Sequence, residues 1–104
     1  MTEVEVSSKI AKLNDEFRSK EAFSVTQGVF NLRDILGLIQ AVSVFDKFTE
    51  DNDPYGEHDF GSLNWEGRKI FWKIDYYDEY LRHWRDPLDP DCKRVLTIML
   101  AEEH

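Results

Sequence analysis

Apolar positions along this chain change their period several times, and each change marks a predicted element. Ile10, Leu13 and Phe17 recur at helical spacing behind Ser7 or Ser8, which predicts a capped helix over about Ser8–Ser19. Phe23 and Val25 alternate weakly over Phe23–Gln27 and predict a short strand that stops at Gly28. Asn31 then stands as an N-cap, with Asp34 in the first turn, where a carboxylate favours the positive end of the helix dipole. Phe30 and Ile35 are placed for a hydrophobic staple, and Ile35, Leu36, Ile39 and Val42 continue the face of a helix over 32–46.

The period then switches to two. The run 68–77 sends Ile70, Trp72, Ile74 and Tyr76 to one side and Phe71, Lys73, Asp75 and Tyr77 to the other. Glu66-Gly67 supplies a two-residue turn to a preceding strand over about 58–65. That hairpin register pairs Leu63 with Ile70 and His58 with Asp75. Thr49–Gly56 is a loop by its acids, Asn52 and Asp53-Pro54. Asp86-Pro87 and Asp89-Pro90 break regular structure between Asp78 and Lys93. Arg94–Ala101 is apolar at nearly every position and predicts a central strand covered on both faces. The expected fold is α+β in the order α-β-α-β-β-β. It is a largely antiparallel sheet of about four strands with two helices on one face, forming a single domain over 1–104.

Charge adds a direction to this picture. The chain has 104 residues and a net charge of −8, and residues 46–66 alone set seven acids against Lys47. Residues 67–74 reverse the sign with three bases, and 75–91 return to six acids against Arg82 and Arg85. Such a field repels phosphate backbones and attracts basic surfaces. One cysteine, Cys92, excludes an internal disulfide and fits a reducing cytoplasm. No apolar run approaches a membrane span, and acids stand where a signal peptide carries bases, so the expected location is cytoplasmic.

Three runs carry a resemblance: Phe45-Asp46-Lys47-Phe48-Thr49-Glu50-Asp51-Asn52-Asp53-Pro54-Tyr55-Gly56-Glu57-His58-Asp59-Phe60-Gly61, Phe71-Trp72-Lys73-Ile74-Asp75-Tyr76-Tyr77-Asp78, and Arg94 through Ala101. Asn14-Asp15-Glu16-Phe17-Arg18 and Asp86-Pro87-Leu88-Asp89-Pro90 extend it over nearly the whole chain. The chain resembles a bacterial domain-of-unknown-function family, numbered 3768, of small single-domain proteins often carried on plasmids and other mobile elements. It departs from that pattern at Leu81–Arg85 and in ending on His104. The family brings no established activity. The resemblance implies a setting, since mobile DNA often carries small proteins that disarm host defences.

The candidate chemistry is sparse. Asp51, Asp53 and Gly56 match the first, third and sixth positions of a calcium loop, but Tyr55 and Ser62 stand where the fifth and twelfth ligands belong. His58, His83, His104 and Cys92 have no zinc spacing, and there is no glycine-rich phosphate loop. No metal or other cofactor is therefore expected. His58 and Asp75 form an expected structural cross-strand pair. The leading functional expectation is a non-enzymatic module that binds a basic protein surface, without direct contact to nucleic acid or membrane. Its expected partner-binding residues are Glu50, Asp51, Asp53, Glu57 and Asp59, with Tyr77, Asp78, Tyr80 and Trp84 supplying anchors and charge. Its sharpest form is an inhibitor of a host nucleic-acid-binding machine, of the anti-CRISPR or a related anti-defence type. The alternative is a small metal-dependent hydrolase using Glu57, His58, Asp59 and Asp75. A homodimer through the sheet edge near Phe23–Gln27 is a third expectation.

Overall fold

A computed structural model of the chain describes residues 1–20 and 22–104. It contains α1 (Glu3–Ser19), β1 (Ser24–Val25), α2 (Gln27–Phe30), α3 (Ile35–Ser43), β2 (Phe60–Trp65), β3 (Arg68–Tyr77), β4 (Lys93–Leu100) and a closing 3₁₀ turn, Ala101–Glu103. The sheet order is β1-β4-β3-β2. The β2–β3 and β3–β4 pairs are antiparallel, whereas β1 runs parallel to β4. The expected α+β class with a largely antiparallel four-stranded sheet therefore holds, and its one parallel pair makes the sheet mixed. No helix among the described residues is long and apolar enough to cross a membrane.

The hairpin follows its sequence signals closely. Glu66 and Gly67 both take positive φ, at 52° and 74°, which suits the right-handed twist of the flanking strands. Leu63 pairs with Ile70 as the turn length requires. Ile70, Trp72 and Ile74 are buried on one face of β3, and Leu96, Ile98 and Leu100 continue that face on β4. Leu38, Ile39 and Val42 of α3 and Val29 of α2 pack onto it. Gly61 lies opposite Trp72 in the register, and a side chain there would stand inside the indole. Only glycine lets β2 pass beneath that ring.

The helical half departs from its expected boundaries. α1 begins at Glu3, and Thr2 caps it by accepting from the Glu5 N–H. Its buried face is Ile10, Ala11, Asn14 and Arg18, while Leu13 is exposed. The expected helix over 32–46 shortens to α3, which starts three residues late at Ile35, and a separate turn of helix, α2, precedes it. Asn31 closes α2, with its N–H bonded back to the Gln27 and Val29 carbonyls, and Asp34 caps α3 by accepting from the Gly37 N–H. The Glu66 carboxylate reaches from the hairpin turn to the free N–H groups of Arg33 and Asp34. That tertiary bond fixes the break between α2 and α3, and it leaves Phe30 exposed instead of stapled. The expected strand over Phe23–Gln27 keeps only Ser24 and Val25, because α2 begins at Gln27.

β4 is central, as its nearly continuous apolar run predicts. On the face away from the helices Met99 is buried beside its cross-strand partner Phe71, but Val95 and Thr97 are only half-buried. Phe60 and Phe71 tilt against each other there and the His104 ring meets both edge to face, so this second face is partly covered.

Candidate functional site

β3 ends, and β2 and β4 begin, at one end of the sheet. The loops over 44–59 and 78–92 therefore share that end. Residues 46–59 carry a net of −5 and residues 78–92 a net of −3, which together equal the net charge of the whole chain. The molecule is thus polarised, with acid at this end and the basic run at the opposite hairpin tip.

Buried polar contacts hold the acidic end in shape. Asn14 is fully buried on α1. Its Nδ2 donates to the Glu57 carbonyl at 2.9 Å and to the Tyr76 hydroxyl at 2.8 Å, and its Oδ1 accepts from Arg94 Nε at 2.7 Å. Arg94 also donates to the Pro87 carbonyl at 2.8 Å. One amide thus joins α1, the acidic loop, β3 and β4, and Arg94 extends the link to the Asp-Pro segment. Burial pushes the Tyr76 hydroxyl far above its ordinary pKa, so it stays neutral. One turn further along α1, Arg18 is 3% exposed and donates to the Phe45 carbonyl and to Asp15. Its guanidinium lies over the rings of Trp72 and Phe48, and the Nε and Nη1 groups that find no acceptor face this aromatic packing. Burial pulls the Arg18 pKa down, and Asp15 opposes that shift.

The expected partner residues separate into two groups. Glu50, Asp51, Tyr80 and Trp84 are exposed. Asp53 is not available: it is 8% exposed, and its carboxylate accepts the Glu57 and His58 N–H groups that tighten the loop. Asp78 plays the same part in the next loop, accepting from the Tyr80 and Arg82 N–H groups, and those bonds hold its pKa below the usual carboxylate value. Tyr77 is half-buried and bridges Trp84 through the backbone. Glu57 and Asp59 are half-buried beside Asp53. For both, burial first and carboxylate repulsion second raise the pKa.

The expected His58–Asp75 pair does not form. β2 starts at Phe60, and His58 takes φ 57°, which lifts it out of the strand register. Its Nδ1 meets Asp15 at 3.0 Å, its Nε2 lies 3.8 Å from Asp53, and its ring stacks on Phe48 at 3.8 Å. Asp75 pairs with Lys73 instead. The imidazole works as a bolt between α1 and the acidic loop, with a carboxylate facing each nitrogen. Hydrolytic use of the Glu57–Asp59 region would need that ring released. No group of three or more His, Cys, Asp or Glu among the described residues is arranged to hold a metal ion. Cys92 is half-buried, and burial raises its pKa, so its thiol resists ionisation.

Sequence reasoning missed Leu81 and Tyr55, both exposed at the acidic end, and the Asn14–Arg18 face. A polar pair four residues apart in a predicted amphipathic helix was the available signal for the last.

The raised carboxyl pKa values give a pH-dependent expectation. A carboxyl whose pKa is higher in the folded than in the unfolded state destabilises the fold above that folded pKa. The cost fades as the pH falls and the group is neutral in both states. Glu57→Gln should therefore melt higher than the parent chain at pH 8. The difference should shrink as the pH falls through the carboxylate range, as a melting series from pH 8 to pH 4 would read.

A family model described as "Protein of unknown function (DUF3768)" matches residues 25–103. No curated protein and no solved structure matches the chain.

Proposed function

We propose that this chain, which belongs to the DUF3768 family, is a protein-binding module that grips a basic protein surface with its acidic end. One observation carries the reading. Tyr80, Leu81 and Trp84 project from one loop at that end, 72%, 55% and 69% exposed. Leu81 does so at φ 58°, a conformation a bulky residue adopts at a cost of roughly 1 kcal/mol or more. A loop that keeps three large apolar side chains in water, one of them on a strained backbone, is built for a partner that covers them. The surrounding carboxylates would speed and orient the encounter, and the rings would set its lifetime.

The narrower form of the proposal adds a setting. An acidic surface has the charge sign of a nucleic-acid backbone, and the resemblance to bacterial proteins of mobile elements suits an anti-defence role. The partner would then be a cytoplasmic host machine that binds DNA or RNA, in the manner of an anti-CRISPR protein, with this acidic end in the groove meant for nucleic acid.

Capture from host lysate over a series of salt concentrations tests the electrostatic part. The parent chain should retain a basic, nucleic-acid-binding protein at moderate salt. Glu50→Lys/Asp51→Lys should lose it at lower salt than the parent, because reversed charges slow association. Retention by the variant across the same salt range would remove these two carboxylates from the site. Recovery of no nucleic-acid-binding protein by the parent would end the narrower proposal.

A further inference from the structure

One flank of α1 faces the Asp-Pro segment and the start of β4, and two hollows lie along it. The first, of about 280 Å³, is walled by Phe17 and Lys20 of α1 and by Cys92, Lys93 and Arg94. The second, of about 310 Å³, is walled by Lys9 and Lys12 of α1 and by Leu88. Leu13 and Glu16 wall both, so the hollows meet there as one groove. Its floor is apolar: Leu13 is 40% exposed, and Phe17 and Leu88 are half-buried. Its charge runs against that of the chain. Five bases and one acid, Glu16, line it, although acids outnumber bases 21 to 13 in the sequence. Arg94 is already engaged with Asn14 and the Pro87 carbonyl. Lys9, Lys12 and Lys93 are exposed and form no ion pair among the described residues.

We infer that this groove receives a short acidic segment of a partner protein, apolar at its centre and carrying carboxylates on either side. The lysines set the sign of the occupant. Lys9 and Lys12 stand at one end of the groove, Lys20 and Lys93 at the other. Glu16, at the junction, repels a carboxylate from the middle, where Leu13 asks for an apolar side chain. The helix sets the spacing. Lys12 and Lys20 are eight residues apart on α1, about 12 Å along its axis, a distance that an extended chain covers in about four residues. A nucleic-acid strand suits the groove less well. It carries a phosphate at every step, including the one opposite Glu16, and it gains little from an aliphatic floor. Asp86 and Asp91, exposed on the same segment, would meet it as it leaves.

The probe is a synthetic peptide of three leucines with two glutamates on each side. Its controls are the same peptide flanked by lysines and an oligothymidylate. Amide shifts read by NMR on the full chain should saturate at Leu13, Glu16 and Lys93. At low salt the glutamate peptide should bind about tenfold tighter than the lysine peptide, and the difference should shrink as salt is added. Lys12→Glu/Lys93→Glu should weaken the glutamate peptide about tenfold. Leu13→Gln should weaken it about fivefold. Glu16→Gln should tighten it about threefold, a gain that damage to the fold cannot produce. Tyr80→Ala/Trp84→Ala should bind the peptide unchanged, which separates this groove from the exposed aromatic loop. The inference is overturned if the glutamate peptide does not saturate, if its shifts centre away from α1 and 88–94, or if Glu16→Gln fails to tighten it. Oligothymidylate binding at the same amides as tightly as the peptide would overturn it too.

Discussion

Asn14→Leu is expected to lower the unfolding free energy by about 3–5 kcal/mol, a loss of roughly 12–20 °C in melting temperature for a chain of this size. The asymmetry of hydrogen bonding sets the scale. Asn14 satisfies the Glu57 carbonyl, the Tyr76 hydroxyl and Arg94 Nε from a position with no solvent access. Leucine fills the same space but strips these groups of a partner that water cannot easily replace. The group that suffers most is the Arg94 guanidinium, whose charge makes its lost bond the costliest. Urea denaturation of parent and variant checks this, with an unchanged denaturant slope showing that both unfold from the same compact state. A loss below about 1 kcal/mol would mean that the four segments do not meet through this amide.

Tyr80→Ala/Trp84→Ala is expected to weaken partner binding by about 100-fold or more while leaving the melting temperature within a few degrees of the parent. Both side chains stand mostly in water, so their removal takes little from the folded state. The loop keeps its form through the Asp78 carboxylate, which accepts the Tyr80 and Arg82 N–H groups, and through the bond from the Asp78 N–H to the His83 carbonyl, none of which needs either ring. Aromatic anchors commonly contribute 2 kcal/mol or more each when a partner covers them, and tenfold in affinity is 1.4 kcal/mol. Surface plasmon resonance on the captured partner gives the affinity, and a thermal melt gives the stability. A variant that binds as tightly as the parent would assign the rings to some other duty.

What the amino-acid pattern reveals here depends on how local its causes are. The β2–β3 hairpin is legible because a two-residue turn and a two-residue period fix the register together. The centrality of β4 is legible because only a strand covered along most of its length tolerates five apolar residues among six, Val95 to Leu100 with Thr97 between. The start of the second predicted helix is not legible, because Glu66, more than thirty residues away, satisfies the Arg33 and Asp34 N–H groups and sets the boundary by a tertiary bond. The same holds for α1. Its apolar spacing points to Leu13, yet the buried face runs from Ile10 and Ala11 to Asn14 and Arg18, because the groups Asn14 must reach are a carbonyl, a hydroxyl and an arginine.

The candidate site divides along the same line. Acid density in the loop composition is visible, and so is the aromatic character of Tyr77–Trp84. Which carboxylates face water is decided by backbone geometry that composition does not carry. Asp53 and Asp78 are consumed in holding their own loops, while Glu50 and Asp51 remain outside. Extending the hairpin register past Phe60 sets His58 opposite Asp75, but the strand stops there. A left-handed backbone at His58 sends the ring to Asp15 on a helix more than forty residues earlier.

Hydrogen–deuterium exchange of the complex with its captured partner tests the binding reading most directly. Slowed exchange confined to the segments 49–57 and 78–85, relative to the free chain, is the result expected of an acidic end that grips a basic surface. Unchanged exchange in both loops, with protection falling on other segments, would contradict it.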